Sequence, residues 1–106
     1  MNRLYPEKLL NIITTDALEE KLIASFKKYG ASGYTILSAQ GEGSSGLSSG
    51  MTGFDANILI KVIMPPDRLD AMLDSLQRKI KKGHHLTVFI IDVSVLSPEK
   101  FDKRMR

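Results

Sequence analysis

Two stretches of this chain are apolar on both faces of an extended strand. In Ala56–Met64 (ANILIKVIM), Ile58, Ile60, Val62 and Met64 fall to one side, and Leu59 and Ile63 to the other. In Leu86–Leu96 (LTVFIIDVSVL), Phe89, Ile91, Val93 and Val95 share one side, with Val88 and Ile90 on the reverse. Side chains alternate along a strand, so a sheet covered on one face only should alternate apolar with polar. These two do not, and a bare second face would be an aggregation hazard. The 106 residues suggest a single domain. Its own helices can cover one face, which leaves other copies of the chain to cover the second. The expectation is a homo-oligomer with closed rotational symmetry.

The remaining segments set the order. Lys8–Thr14 (KLLNIIT) reads as a first strand. Asp16 with Glu19 resembles a capping box, and Leu18, Leu22, Phe26 and Tyr29 follow with helical spacing up to a stop at Gly30. Gly33–Gln40 (GYTILSAQ) reads as the second strand. Pro65-Pro66-Asp67 opens a second helix, whose stripe of Leu69, Met72, Leu73, Leu76 and Ile80 ends at Gly83. The order β-α-β-β-α-β predicts an α+β, ferredoxin-like sandwich: an antiparallel sheet with both helices on one face and right-handed crossovers. The core is expected over residues 8–96 of a single domain spanning 1–106. A long loop at about 41–55 would join the second and third strands, and 97–106 would form a mobile tail.

That loop, GEGSSGLSSGMTG, satisfies two patterns by letter. Gly41 to Gly46 reads as G-x-G-x-x-G and Gly46 to Gly50 as G-x-S-x-G. Both motifs require a helix directly after the turn, to cap a pyrophosphate or to present a nucleophile. Here a strand follows, so neither chemistry is supported. Loops of this length in small domains are usually functional or disordered. Glycine-rich turns at strand ends form anion-binding nests, so the loop reads as one that orders around a phosphate or a partner.

Other classes fall away on composition. The chain has no cysteine, which excludes disulfides, thiolate nucleophiles and cysteine-bound metals. His84 and His85 alone are a weak ligand set, so no metal is expected. No paired acids and base converge as an enzyme needs. The first and third strands lack the aromatic platform of RNA-binding sheets, so no nucleic acid is expected. No apolar run matches a membrane span, and MNRLYPEKLL lacks a signal-peptide core. The expectation is a cytoplasmic protein without direct membrane insertion. The excess charge of +3 gathers at Lys79, Lys81, Lys82 and in the tail. It reads as a solvated helix end, or as local help in holding phosphate.

The words GASGYTILSAQGEG, ANILIKVIMPPD and FIIDVSVL, in this order around a long loop, resemble the PII signalling superfamily over about Lys8 to Leu96. The likeness is nearest to its PII-like branch, which includes the bicarbonate-transporter regulator SbtB and the carboxysome-associated PII proteins. The resemblance implies a homotrimer that binds adenine nucleotides in clefts between subunits. It implies that the loop is the T-loop, presented to a regulatory target such as a membrane transporter or metabolic enzyme. Carried over by position, Thr35, Gly41, Gly43, Ser44, Ser45, Ile63, His85, Leu86, Thr87 and Val88 would line the nucleotide cleft. Ser48, Ser49, Gly50, Met51 and Phe54 would meet the target. Thr35 fits an ordinary strand threonine equally well, and Ile63 plain core. The segment KKGHHLT departs from the glycine-lysine loop with which nitrogen-regulatory PII proteins grip triphosphates. The T-loop has neither the tyrosine that some PII proteins modify nor the arginines of the bicarbonate-regulator type. AMP, ADP or cyclic AMP is therefore favoured over ATP. The alternatives on the same fold are a trimeric CutA-like metal-binding protein and an RNA-binding domain.

Overall fold

The computed structural model describes residues 1–41, 57–102 and 104. They form β1 (Tyr5–Thr15), α1 (Glu19–Lys28), β2 (Thr35–Ser38), β3 (Asn57–Met64), α2 (Pro66–Lys81) and β4 (Thr87–Val95). The strands make one antiparallel sheet of order β2-β3-β1-β4. The expected element order and the ferredoxin-like arrangement are both present. The boundaries differ locally. β1 begins three residues early, and Pro6 is accommodated opposite Ser94. β2 is half the expected length. Asp16–Leu18 form a 3-10 turn, so the α-helix proper starts at Glu19 and its cap position is Leu18 rather than Asp16.

The two helices pack on one face. Leu10 and Ile12 of β1 and Ile58, Ile60, Val62 and Met64 of β3 are buried against Leu18, Leu22 and Phe26, and against Met72 and Leu76 of α2. Register follows the apolar pattern: Leu10 lies between Val62 and Ile90, and Ile12 between Ile60 and Val88. Gly30 (φ 87°) and Gly83 (φ 102°) end the helices in the left-handed region, which glycine enters without a Cβ penalty.

The opposite face has no helix over it. Leu37, Ile13, Phe89 and Ile91 stand exposed there beside half-buried Leu9, Leu59 and Ile63. This is the doubly apolar sheet that the sequence predicts, with one face open.

Residues 97–102 and 104, expected to form a mobile tail, instead fold back on the domain. Pro98–Lys100 make a 3-10 turn, and Pro98 and Asp102 are buried. The guanidinium of Arg104 donates to both carboxylate oxygens of Asp67 (2.7 and 2.8 Å) and to Asp102 (2.7 and 2.9 Å). Two-pronged pairing of this kind is the strongest geometry available to arginine. No local pattern signals it, because Asp67 opens α2, 37 residues away.

Glu7 lies near this clasp, 6% exposed, and its Oε2 has no hydrogen-bond partner. Burial pushes its carboxyl above the ordinary 4.5, Asp102 and Asp67 push it further, and Arg104 opposes them. A raised folded-state pKa favours the folded state most at low pH, and that advantage is lost as pH rises through it. Glu7→Gln removes the titration. It should raise the melting temperature by a few degrees at neutral pH, with the gain vanishing below about pH 4.5. Thermal melts of both proteins across pH 4–8 check this, and a gain independent of pH would count against it.

Candidate functional site

The sequence-predicted site residues among the described ones fall in two groups, one on the β2–β3 side of the sheet and one at the β4 edge. Thr35 is the first residue of β2 and pairs in register with Lys61 of β3. Antiparallel partners share a face, and Lys61 shares the open face with Ile63, two residues on and half-buried opposite Leu9. Gly41 is exposed, with open space where a Cβ would sit. Gly43, Ser44 and Ser45, and the proposed target-binding Ser48, Ser49, Gly50, Met51 and Phe54, lie outside the described residues.

The second group sits at the β4 edge. His85 is exposed, and its carbonyl accepts a hydrogen bond from Thr14 Oγ1 (2.9 Å). This bond ties the α2–β4 connection to the end of β1. Thr87 opens β4 opposite Ile13 on the open face. Leu86 and Val88 are half-buried and pack against the core. Val88 lies opposite Ile12, so its side chain is on the helix-covered face and only its backbone could meet a ligand on the open face.

The two groups do not meet within one chain. β2 and β4 are separated by β3 and β1, three strand spacings, or about 14 Å. A cleft lined by both needs the β2 edge of one copy beside the β4 edge of another.

The basic cluster before β4 is split. Lys79 turns into the seam between the helices, where its Nζ donates to Ser25 Oγ (3.0 Å) and Ser75 Oγ (3.3 Å). Burial pushes its ammonium pKa down, and nearby Arg78, Lys82 and Lys21 add to this. Lys81, Lys82 and Lys100 remain exposed. Among the described residues, no group of three or more His, Asp or Glu side chains is placed to hold a metal ion. Among the same residues, no helix is long and apolar enough to cross a membrane.

Two residues of the open face, Lys61 and Asn11, are not marked as site residues by the sequence. Thr35, Lys61, Asn11 and Phe89 stand in register across all four strands. Lys61 Nζ donates to Asn11 Oδ1 (3.2 Å), and Asn11 Nδ2 reaches the carbonyl of Leu9 (3.3 Å). Asn11 is fully buried even in the single chain. The signal in the sequence is Lys61 itself, a charge within a strand apolar on both sides.

The fold and the family agree. The model of the family "Nitrogen regulatory protein P-II" matches residues 7–100. The chain belongs to the P-II family. It is similar to CPII, a nitrogen regulatory PII-like protein from Thiomonas intermedia K12, in the structure bound to ADP, AMP and bicarbonate. The identity is 33%, covering 95% of this chain and 98% of that one, with a TM-score of 0.85. CPII bound to ADP, AMP and acetate matches at 32% identity, covering 93% and 97%, with a TM-score of 0.80. A PII-like signalling protein from Thermus thermophilus matches at 32% identity, covering 95% and 99%, with a TM-score of 0.76. CutA from Synechococcus elongatus shares the fold alone, at 14% identity over 95% and 94% with a TM-score of 0.65. No curated protein matches the sequence.

The Thr14–His85 bond has a direct test. Thr14→Val keeps the shape and loses the donor, and should cost about 1 kcal/mol of stability. Amide exchange should quicken at His85 to Thr87 ahead of the rest of β4. Uniform quickening along the strand would show that the bond does not hold this segment.

Proposed function

We propose that this PII-like protein is a non-enzymatic regulator, a homotrimer that binds adenine nucleotides in the clefts between its subunits. The observation that carries the reading is the placement of the candidate residues. Thr35 and Ile63 lie on β2 and β3, His85 to Val88 lie at and before the start of β4, and only a second copy brings the two groups together. The open apolar face supports the same assembly, because a trimer removes it from water. The similar CPII structures, with ADP and AMP bound, support the ligand class. Bicarbonate, also bound in CPII, is a natural candidate for a second ligand.

Signalling would run through the segment between β2 and β3. A ligand at its base would favour one conformation, and a target such as a membrane transporter or metabolic enzyme would read that state. The T-loop offers no basic residue to grip a triphosphate, so AMP, ADP or cyclic AMP is the preferred ligand over ATP. A cytoplasmic setting and a protein target, rather than nucleic acid, complete the reading.

Light scattering should give a trimer at micromolar concentration. Ile91→Glu, which puts a charge on the exposed open face, should shift it to monomer. Calorimetry should rank AMP, ADP or cyclic AMP ahead of ATP. A wild-type monomer would overturn the assembly, and ATP binding best by a wide margin would overturn the ligand preference.

A further inference from the structure

We propose that Lys61, with Thr35 and Asn11 beside it, forms an oxyanion-binding site on the open sheet face. The proposal deepens the reading above and rests on its trimer. Lys61 stands in register with Thr35 and Asn11, between the apolar neighbours Leu37, Leu59 and Ile13 on one side and Ile63, Leu9 and Ile91 on the other. Among the described residues its ammonium meets one neutral acceptor, Asn11 Oδ1, and forms no ion pair.

Assembly through this face takes the ammonium further from water, and a charge so buried requires a counter-charge. Copies of the same face bring more lysine and little acid. Glu7, on β1 in register with Val93, is the one acid among Leu9, Asn11, Ile13 and their partners on this face. It lies four residues from Asn11 and is drawn into the Asp67, Asp102 and Arg104 cluster. The remaining source of negative charge is a ligand. An ammonium has three N–H donors, and Asn11 takes one. The other two, with the Thr35 hydroxyl, match the oxygens of a carboxylate, a bicarbonate or a phosphate group. Lys61 then supplies on β3 the cation that the T-loop lacks.

The test uses the purified full chain and its variants Lys61→Met and Lys61→Arg, with Lys27→Met on the solvent side of α1 as control. Sodium acetate and sodium bicarbonate are titrated without nucleotide, followed by thermal melting and calorimetry. ADP and adenosine are then titrated separately. If the site takes a small free oxyanion, acetate or bicarbonate raises the wild-type melting temperature. Lys61→Met then weakens binding at least tenfold, Lys61→Arg keeps part of it, and Lys27→Met keeps all. If the oxyanion is the nucleotide's phosphate, the small anions have no effect, and Lys61→Met weakens ADP at least tenfold while sparing adenosine.

The proposal is overturned if Lys61→Met changes neither small-anion nor ADP binding. It is also overturned if wild-type stability ignores anions while the variant loses its trimer. That result would pair Lys61 with a neighbour's carboxylate, such as Glu42 or Asp55, both outside the described residues. Should Lys61→Met fail to fold, Lys61→Gln and the wild-type anion dependence give the same readout. A wild type that binds small anions but no adenine nucleotide would refute the nucleotide reading and leave this one standing.

Discussion

The structure depends on β1 being paired along both edges. Its eleven residues hold β3 on one side and β4 on the other, so both strands of the second β-α-β half are anchored on it, and the short β2 adds four further pairs to β3. Leu10 and Ile12 close the core beneath the helices, and Leu9 and Ile13 join the apolar face that no helix covers. A strand so placed must serve two different solvents at once, a packed core below and an intersubunit layer above. That is why its sequence, KLLNIIT, is apolar almost without alternation.

Much of this is legible without coordinates. The change from helical spacing to doubly apolar strands sets the order of elements, and glycine marks both helix ends. What escapes is contextual. Pro6 lacks an N–H and Glu7 is charged, so the first three residues of β1 carry no strand signal in the sequence. The charged tail reads as solvated, yet Arg104 finds Asp67 at the start of α2 and Asp102 beside it. Pairing over 37 residues leaves no periodic trace in a sequence.

The candidate site divides in the same way. Thr35 and Ile63 are reached through family resemblance, since nothing about a strand threonine or isoleucine marks a ligand contact. The sheet register then adds the fact that sorts them, their position on β2 and β3, with β1 between them and the strand that follows His85 and Leu86. Val88 shows the limit of carrying positions across a family, because its side chain is turned under the helices. Lys61 and Asn11 draw no notice in the sequence because a lone polar pair in a strand usually means only that one side is wet.

The Lys61–Asn11 pair has a further effect during folding. A slip of one residue between β1 and β3 would exchange the faces of every side chain on the strand that moved. On strands apolar on both sides such a slip would cost little, since isoleucine would replace isoleucine. The polar pair removes that ambiguity. In a slipped sheet, Lys61 or Asn11 would be driven among Leu22, Phe26 and Met72, where no acceptor waits for an ammonium or a carboxamide. One hydrogen bond across β1 and β3 thus gives a repetitive, greasy sheet a single unambiguous alignment.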